Sequence, residues 1–366
     1  MAVGSLLSAE MGLLSGRANV VGLDIGSSSV KLVRLRQASG SWELVAFSIG
    51  QLPPDAIVEG RVMNFTSVIE RIREMVRETG VNGADCAIAI AGSSVIIKKL
   101  SLPEMTRAEL DESIMWEAEQ YIPFDIKDVN VDAQILNPRA GQGQMDVLMV
   151  AAKKDVVTEY VSVAVEAGLR PVVVDVAMFC ALNMFEVNYS VAADQTFACL
   201  NVGANSINVG VLSGGMVAFT RDIGMGGSLL TAEIQKHFNV SYEEAEAFKT
   251  GAESSISSST IAREVAKISE RVSDTMVTEV QRSLDFFVAT SIKSDMSRIY
   301  LTGGSAQLPA LIRALERRME VPVELVNPFR NVAVDAKKFD IDLLQRAAPV
   351  AGVAVGLALR KPGDAA

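Results

Sequence analysis

A seven-residue pattern occurs twice in this chain, and it constrains the fold more than any other feature. Asp24-Ile25-Gly26-Ser27-Ser28-Ser29-Val30 matches Asn201-Val202-Gly203-Ala204-Asn205-Ser206-Ile207. The offset from Gly26 to Gly203 is 177 of 366 residues, close to half of the chain. Each copy lies between two apolar, β-branched runs, which is typical of a strand–turn–strand unit. The repeat therefore predicts two related lobes, each with a Gly/Ser hairpin at its edge.

Two such turns that face each other are suited to bind phosphate. Glycine has no Cβ, so backbone N–H groups can approach phosphate oxygens closely, and Ser and Asn side chains add donors. Lys31 follows the first turn and adds a positive charge, while Asp24 precedes it and is a candidate Mg²⁺ ligand. The GxxxxGK[ST] motif is absent, and Gly141-x-Gly143 does not open a helix after a strand, so neither offers an alternative phosphate site.

A third glycine turn, Thr302-Gly303-Gly304-Ser305-Ala306, follows a predicted strand at Ile299 to Leu301. Two glycines at a strand-to-helix turn leave room for a flat base against the backbone. One glycine turn alone is a weak signal, because ordinary tight turns outnumber ligand sites. The three turns in this order are much more specific.

Composition supports a globular fold and excludes several function classes. The chain is 49% apolar and 21% charged, as globular proteins are. A net charge of −10 without basic runs argues against a nucleic-acid partner, because phosphate neutralisation needs clustered Lys or Arg. The single histidine, His237, excludes an HExxH metal site. The three cysteines, Cys86, Cys180 and Cys199, lack zinc spacing and are expected to be buried thiols.

No segment is predicted to enter a membrane. The apolar stretch near Ala347 to Leu359 is interrupted by Pro349, Gly352 and Gly356 and is too short to cross a bilayer. The N-terminus has no basic region and carries Glu10 where a signal peptide would be apolar. We therefore expect a cytosolic chain.

Outside the repeated units, the pattern predicts an insert and a helical region. Thr106-x-x-Glu109 is a capping box that starts an insert helix. Gly251 to Ser259 reads as a Ser-rich loop before a long amphipathic helix over Thr260 to Thr290. The apolar stripe of that helix consists of Ile261, Val265, Ile268, Val272, Met276, Val280, Leu284 and Val288, and we expect it to face the core. We predict an N-terminal extension over 1–19, a first-lobe core over 20–94 and 175–194, a small α+β insert over 95–174, a second-lobe core over 195–230 and 298–366, and a helical subdomain over 231–297.

Taken together, these motifs resemble those of the actin-like ATPase superfamily, which includes actin, Hsp70, sugar kinases and the bacterial protein FtsA. DIGSSSVK resembles its first phosphate motif, LNVGANSINVGVLSGG the second and IYLTGGSAQLPAL the adenosine motif. Ala351 to Gly356 resembles the second connecting helix. The resemblance implies an α/β, two-lobed actin-like ATPase (ribonuclease-H-like) fold, with the small α+β insert in the first lobe.

A narrower resemblance is to the PilM family of type IV pilus assembly proteins, in the FtsA-like branch of the superfamily. The sequence EAEQYIPF from Glu117 to Phe124, Phe219-Thr220-Arg221 and Glu244-Ala245-Glu246 carry it, and it extends from about Val20 to Leu359. It implies a cytoplasmic ATP-binding scaffold, peripheral to the inner membrane through protein partners and connected with twitching motility. The scaffold would bind the cytoplasmic N-terminal tail of PilN in a groove between the first lobe and the insert. It would also link the other platform proteins to the pilus motor; self-association stays open.

The resemblance also implies a role for each motif residue. The phosphates and Mg²⁺ would be held by Asp24, Gly26, Ser27, Ser28, Ser29 and Lys31, with Asp24 toward the metal. The second turn, Gly203, Ala204, Asn205 and Ser206, would close the other side, and Gly226 and Gly227 would lie near ribose and phosphate. Glu246 and Lys249 would reach ribose or base, unless they form only a surface ion pair. Gly303, Gly304, Ser305 and Ala306 would face adenine, with ATP and Mg²⁺ as the implied cofactors.

Two departures from the superfamily pattern bear on catalysis. The second phosphate motif normally begins with Asp, and here it begins with Asn201; Ala177 occupies the place of a usual Glu. Orienting water toward a γ-phosphate needs an acceptor such as a carboxylate. We therefore predict ATP binding with slow or no hydrolysis, unless Asp175 takes over through a different strand register. The alternatives are a small-molecule kinase and an FtsA-like filament-forming protein on the same fold.

Overall fold

The computed structural model describes residues 20–361, except for 39, 191, 193, 252–258 and 292–294. The predicted N-terminal extension over 1–19 lies outside the described residues, as do most of the predicted Ser-rich loop and the last five residues. The strands are β1 Val21–Ile25, β2 Ser29–Ala38, β3 Ser41–Gln51, β4 Ile57–Val58, β5 Arg61–Val62, β6 Asp85–Ile90, β7 Val95–Pro103, β8 Val129–Gly141, β9 Gln144–Lys153, β10 Arg170–Val176, β11 Thr196–Val202, β12 Ile207–Ser213, β13 Met216–Ile223, β14 Met296–Thr302, β15 Val323–Leu325 and β16 Val332–Ala333. The helices are α1 Phe65–Thr79, α2 Arg107–Glu119, α3 Lys154–Glu166, α4 Ala177–Asn188, α5 Gly227–Phe238, α6 Tyr242–Thr250, α7 Ser259–Thr290, α8 Pro309–Met319, α9 Ile341–Ala347 and α10 Gly352–Ala358.

The two large sheets have the same plan. The first has the strand order β10-β6-β1-β2-β3-β16, and the second has the order β13-β12-β11-β14-β15. In each, an antiparallel three-strand meander continues into parallel neighbours: β1 pairs in parallel with β6, and β11 pairs in parallel with β14. The repeated turns are closed by the same bond, from Gly26 N to Ser29 O (3.1 Å) and from Gly203 N to Ser206 O (2.9 Å). The sequence repeat is therefore a structural repeat.

The insert is a three-stranded antiparallel sheet, β7-β9-β8, with α2 packed on one face. The predicted capping box at Thr106 and Glu109 starts α2. The predicted range of 95–174 extends further than this sheet, because β10 pairs with β6 of the first sheet. Helix α3 likewise buries Val156, Tyr160 and Val163 in the first-lobe core. The structure therefore places 154–174 with the first lobe.

The C-terminal region also returns to the first lobe. We predicted 298–366 to be second-lobe core, but β16 pairs with β3 and α10 packs on β1 and α4. Residues of α4 and α10 share one core cluster with strands of both sheets, so these two helices join the lobes. The contact is close: a Cβ on Gly356 of α10 would overlap the backbone carbonyl of Cys180 in α4.

Among the described residues, one helical run, Ile341–Ala358, is apolar and long enough, at 18 residues, to cross a membrane by length and composition. It is longer than the apolar stretch that we took to be too short, because α9 continues through a 3₁₀ turn at Ala348–Ala351 into α10. Of the residues in this run, 61% are buried inside the molecule. Its contacts with the core account for its apolar character.

The second lobe buries one face of the long helix α7 against α5, α6 and α8. Most of the predicted stripe is buried, from Val265 to Leu284. The last position differs: Phe287 is 1% exposed, whereas Val288, which we predicted to be buried, is 44% exposed. All three cysteines are buried, and burial raises the pKa of Cys86 and of Cys199 to about 12.

Candidate functional site

A cleft of about 1610 Å³ opens between the two repeated turns. The strand pairing explains the position of the polar groups in the cleft, because each turn connects the first two strands of a meander at the corresponding end of its sheet. All but two of the predicted site residues line this cleft. They are Asp24, Gly26, Ser27, Ser28, Ser29, Lys31, Gly203, Ala204, Asn205, Ser206, Gly226, Glu246, Lys249, Gly303, Gly304 and Ser305.

The two predicted residues that do not line the cleft lie just behind it. Ala306 is fully buried in the second-lobe core, so its predicted contact with adenine does not fit this position. Gly227 is the first residue of α5, and its N–H donates to Gly203 O (3.0 Å). A Cβ on Gly227 would overlap Ser305 Oγ, so glycine lets the helix start between the second turn and the Gly303 turn.

The first turn carries a pair of opposite charges. Asp24 and Lys31 face each other across the β1–β2 hairpin, with Lys31 Nζ 3.3 Å from Asp24 Oδ2. Lys31 Nζ also donates to Ser29 O at 3.2 Å. The Lys31 and Asp24 side chains are only 12% and 15% exposed, and both line the cleft. This end of the cleft thus offers a cation, a carboxylate and the turn backbone to an incoming ligand.

Glu246 and Lys249 form more than a surface ion pair. Lys249 Nζ lies 2.9 Å from Glu246 Oε1 and also donates to Thr231 Oγ1 (3.1 Å), and the Thr231 hydroxyl donates to the same Glu246 oxygen. Thr231 is 1% exposed and the Lys249 side chain 12%. These hydrogen bonds join α5 to α6 on the wall of the cleft. The low exposure of Thr231 and Lys249 restricts where their polar groups can point.

The polar residues of the cleft that sequence reasoning missed include Asn208, Asp222 and Ser228. Asn208 pairs with Asn201 and Asp222 pairs with Asn208 in the sheet register, so all three side chains fall in one row across β11, β12 and β13. Ser228 Oγ donates to Ala204 O at 2.8 Å. Asn208 and Asp222 could be found only from their cross-strand pairing with Asn201, and the sequence alone does not give the strand register.

Asp175 does not replace the missing carboxylates. Ala177 lines the cleft, as its motif position implies, but Asp175 is absent from the cleft wall. Its Oδ2 lies instead 3.4 Å from Arg360 Nε, with both side chains 9% exposed. The proposed change of register is therefore wrong, and this carboxylate belongs to a second cavity.

That second cavity is a groove of about 360 Å³ between the first-lobe sheet and the insert. Its walls come from β8 and β9 of the insert and from β10 and α4, and apolar side chains such as Val150 and Val174 dominate them. Burial raises the pKa of Asp132 on β8, although the N–H of Ala133 donates to that carboxylate. Within the described part of the chain, the buried Asn183 Oδ1 accepts no hydrogen bond. The groove thus combines an apolar floor with an unsatisfied polar acceptor.

Comparison with known proteins matches this architecture to one family. The family model of the type IV pilus assembly protein PilM matches residues 22–362. This chain belongs to the PilM family. The predicted membership is thereby confirmed, and with it the predicted two-lobed actin-like ATPase fold and a function in type IV pilus assembly.

Individual relatives agree with membership of the PilM family. In a solved PilM-PilN type IV pilus biogenesis complex, one chain is 31% identical and superposes with a TM-score of 0.82, covering 94% of this chain and 99% of that one. Cell division protein FtsA from Enterococcus hirae is 24% identical over 354 residues, which is 84% of this chain and 78% of that protein. FtsA from Bacillus subtilis (strain 168) is 21% identical over 259 residues, which is 63% of this chain and 57% of that protein.

Proposed function

We propose that this protein is an ATP-holding scaffold on the cytoplasmic side of the pilus inner-membrane platform. It binds MgATP in the cleft and the cytoplasmic N-terminal tail of PilN in the groove, links the platform to the motor, and hydrolyses ATP slowly or not at all. The observation that carries the proposal is the convergence of all three glycine turns on one cleft.

The cleft residues suit a magnesium nucleotide. The two repeated turns present backbone N–H groups, hydroxyls and Lys31 to the phosphates, and the Gly303 turn leaves room for a base. Among the described residues, no three His, Cys, Asp or Glu side chains converge on one metal position. Mg²⁺ is commonly held by one or two carboxylates together with phosphates and water, so Asp24 suffices as its protein ligand. Glu246 and Lys249 would contact ribose or base.

The cleft is poorly equipped for hydrolysis. Asn201 offers an amide and Ala177 a methyl group where a carboxylate would orient water for attack. Asp24 is paired with Lys31, and Asp222 accepts two hydrogen bonds from the protein. The lack of a carboxylate at positions 201 and 177 also argues against a small-molecule kinase, because a kinase needs a base for the hydroxyl proton of its substrate.

The groove suits an extended peptide. Strands β8 and β10 are both edge strands of their sheets, so each has backbone groups free of a strand partner on one side. The apolar walls fit aliphatic side chains, while Asn183 Oδ1 would accept from a peptide N–H or amide. The solved relative in complex with PilN supports the choice of partner.

Matched substitutions on β10 test this assignment. Val174 and Val172 are 38% and 43% exposed on the same strand, but only Val174 lines the groove. We expect Val174→Asp to weaken binding of a synthetic PilN-tail peptide at least ten-fold, because the peptide would desolvate the new charge without a partner. Val172→Asp should change the affinity less than about three-fold, as measured by calorimetry. Equal effects of the two variants would place the peptide elsewhere.

A further inference from the structure

We propose that Asp222 is a positioning residue that clasps the two lobes across the cleft and sets the orientation of the Asn201 amide. This inference rests on the proposed nucleotide site and adds a residue that the sequence motifs do not contain. The clasp is a continuous row of hydrogen bonds through Gly92, Asp222, Asn208 and Asn201.

The row crosses from one lobe to the other. Gly92 follows β6 of the first-lobe sheet, and its N–H donates to Asp222 Oδ2 on β13 of the second-lobe sheet at 2.6 Å. Asp222 Oδ1 accepts from Asn208 Nδ2 at 2.7 Å, and Asn208 Oδ1 accepts from Asn201 Nδ2 at 2.8 Å. All four residues line the cleft. A bond between the lobes at this place stabilises the observed arrangement of the two lobes.

The direction of the row follows from its two ends. A backbone N–H only donates and a carboxylate only accepts, so Asp222 takes a donor from both neighbours. Asn208 must therefore turn its Nδ2 toward Asp222 and its Oδ1 toward Asn201. Asn201 must then donate, which leaves its own Oδ1 on the side of Gly303; a Cβ on Gly303 would lie 2.7 Å from that oxygen. Asp222 thus fixes an acceptor at position 201 without touching it.

The donors and acceptors of this row determine which substitutions at positions 201 and 222 keep its hydrogen bonds. With Asn201→Asp alone, a carboxylate stands on both sides of Asn208, and one of the two must face its carbonyl oxygen. With Asn201→Asp and Asp222→Asn together, the two side-chain hydrogen bonds of Asn208 reverse their direction and every bond of the row is kept. Gly92 then donates to the amide oxygen at position 222, the amide nitrogen at that position donates to Asn208, and Asn208 donates to the carboxylate at position 201. The double substitution should therefore rescue the single one.

The test uses the full chain with one spin label on α1 and one on α8, through Glu78→Cys and Glu316→Cys, both exposed positions. The native thiols are buried with raised pKa values and stay unlabelled. Without nucleotide, we expect Asp222→Ala to broaden the distance distribution between the lobes, and Asp222→Asn to leave it narrow. MgATP affinity should fall about ten-fold in Asp222→Ala and in Asn201→Asp, and return to within about three-fold in the double variant.

The control is Asp285→Asn, an exposed carboxylate on α7 outside the cleft, which should alter neither readout. An unchanged distance distribution in Asp222→Ala overturns the clasp, and failure of the double variant to rescue Asn201→Asp overturns the orientation argument. If the parent chain does not bind MgATP, the proposed function fails, while the distances measured without nucleotide still decide whether Asp222 joins the lobes.

Discussion

Lys249 and Lys267 form similar ion pairs in the second lobe, but the Lys249 side chain is much less exposed to solvent. The Lys249–Glu246 pair has the same spacing and nearly the same distance (2.9 Å) as the Lys267–Glu264 pair (2.8 Å), yet Lys249 is 12% exposed and Lys267 is 66% exposed. Removing the Lys249 ammonium leaves Thr231 Oγ1 without a donor, and it leaves Glu246 with the Thr231 hydroxyl but without its cation. That loss costs desolvation energy. Exposed pairs are screened by water and contribute little.

We therefore predict that Lys249→Met lowers the free energy of unfolding by about 1–3 kcal/mol, while Lys267→Met changes it by less than about 0.5 kcal/mol. Urea denaturation of both variants measures the difference. Equal, small effects would show that the Lys249 cluster is as weakly coupled as a surface pair.

The sequence predicted the residues of the cleft only where they lie close together along the chain. The motif around Gly26 and its copy around Gly203 supplied ten of the sixteen predicted residues that line the cleft, because a turn and its flanking strands are contiguous in sequence. Asp222 and Gly92 were missed because their contact joins residues of separate lobes. Ala306 was wrongly placed in the cleft, since the pattern does not say which side of a glycine turn faces the core.

At the scale of elements, α7 shows why the last residue of a predicted apolar stripe can leave the buried face of its helix. A helix turns about 100° per residue, so a step of four residues passes a full turn by about 40°. The stripe takes three such steps in succession from Val272 to Leu284. A further step of four, to Val288, rotates out of the core, and a step of three to Phe287 rotates back into it.

This difference gives a prediction with a control of the same residue type. Phe287 is 1% exposed and Phe286 is 57% exposed. We expect Phe287→Ala to lower the free energy of unfolding by about 3–5 kcal/mol, because it leaves a cavity in the second-lobe core. Phe286→Ala should cost less than about 1 kcal/mol. Thermal and urea denaturation distinguish the two, and a larger loss for Phe286 would contradict the assigned helix phase.

At the scale of the whole molecule, the repeat predicted two lobes, but it could not predict how the chain closes them. Strand β16 and helix α10 return to the first lobe through contacts with β3 and β1 that are far away in sequence. Hydrophobic periodicity does not encode such a contact, and only the resemblance of Ala351 to Gly356 to a connecting helix pointed to it. Gly356 permits the close approach of α10 to α4, but a glycine in an apolar helix does not identify the element that packs against it.

The proposed function requires that the two lobes hold MgATP without hydrolysing it. Asp24 is the carboxylate at the first turn, whereas Asn201 and Ala177 in the same cleft carry an amide and a methyl group in place of a carboxylate. Calorimetric titration of the full chain with MgATP, with Asp24→Ala as the comparison variant and its thermal stability as the folding control, tests this most directly. We expect a saturable binding isotherm with no continuing heat of hydrolysis, and loss of that isotherm in Asp24→Ala. Sustained heat of hydrolysis, or no binding by the parent chain, would contradict it.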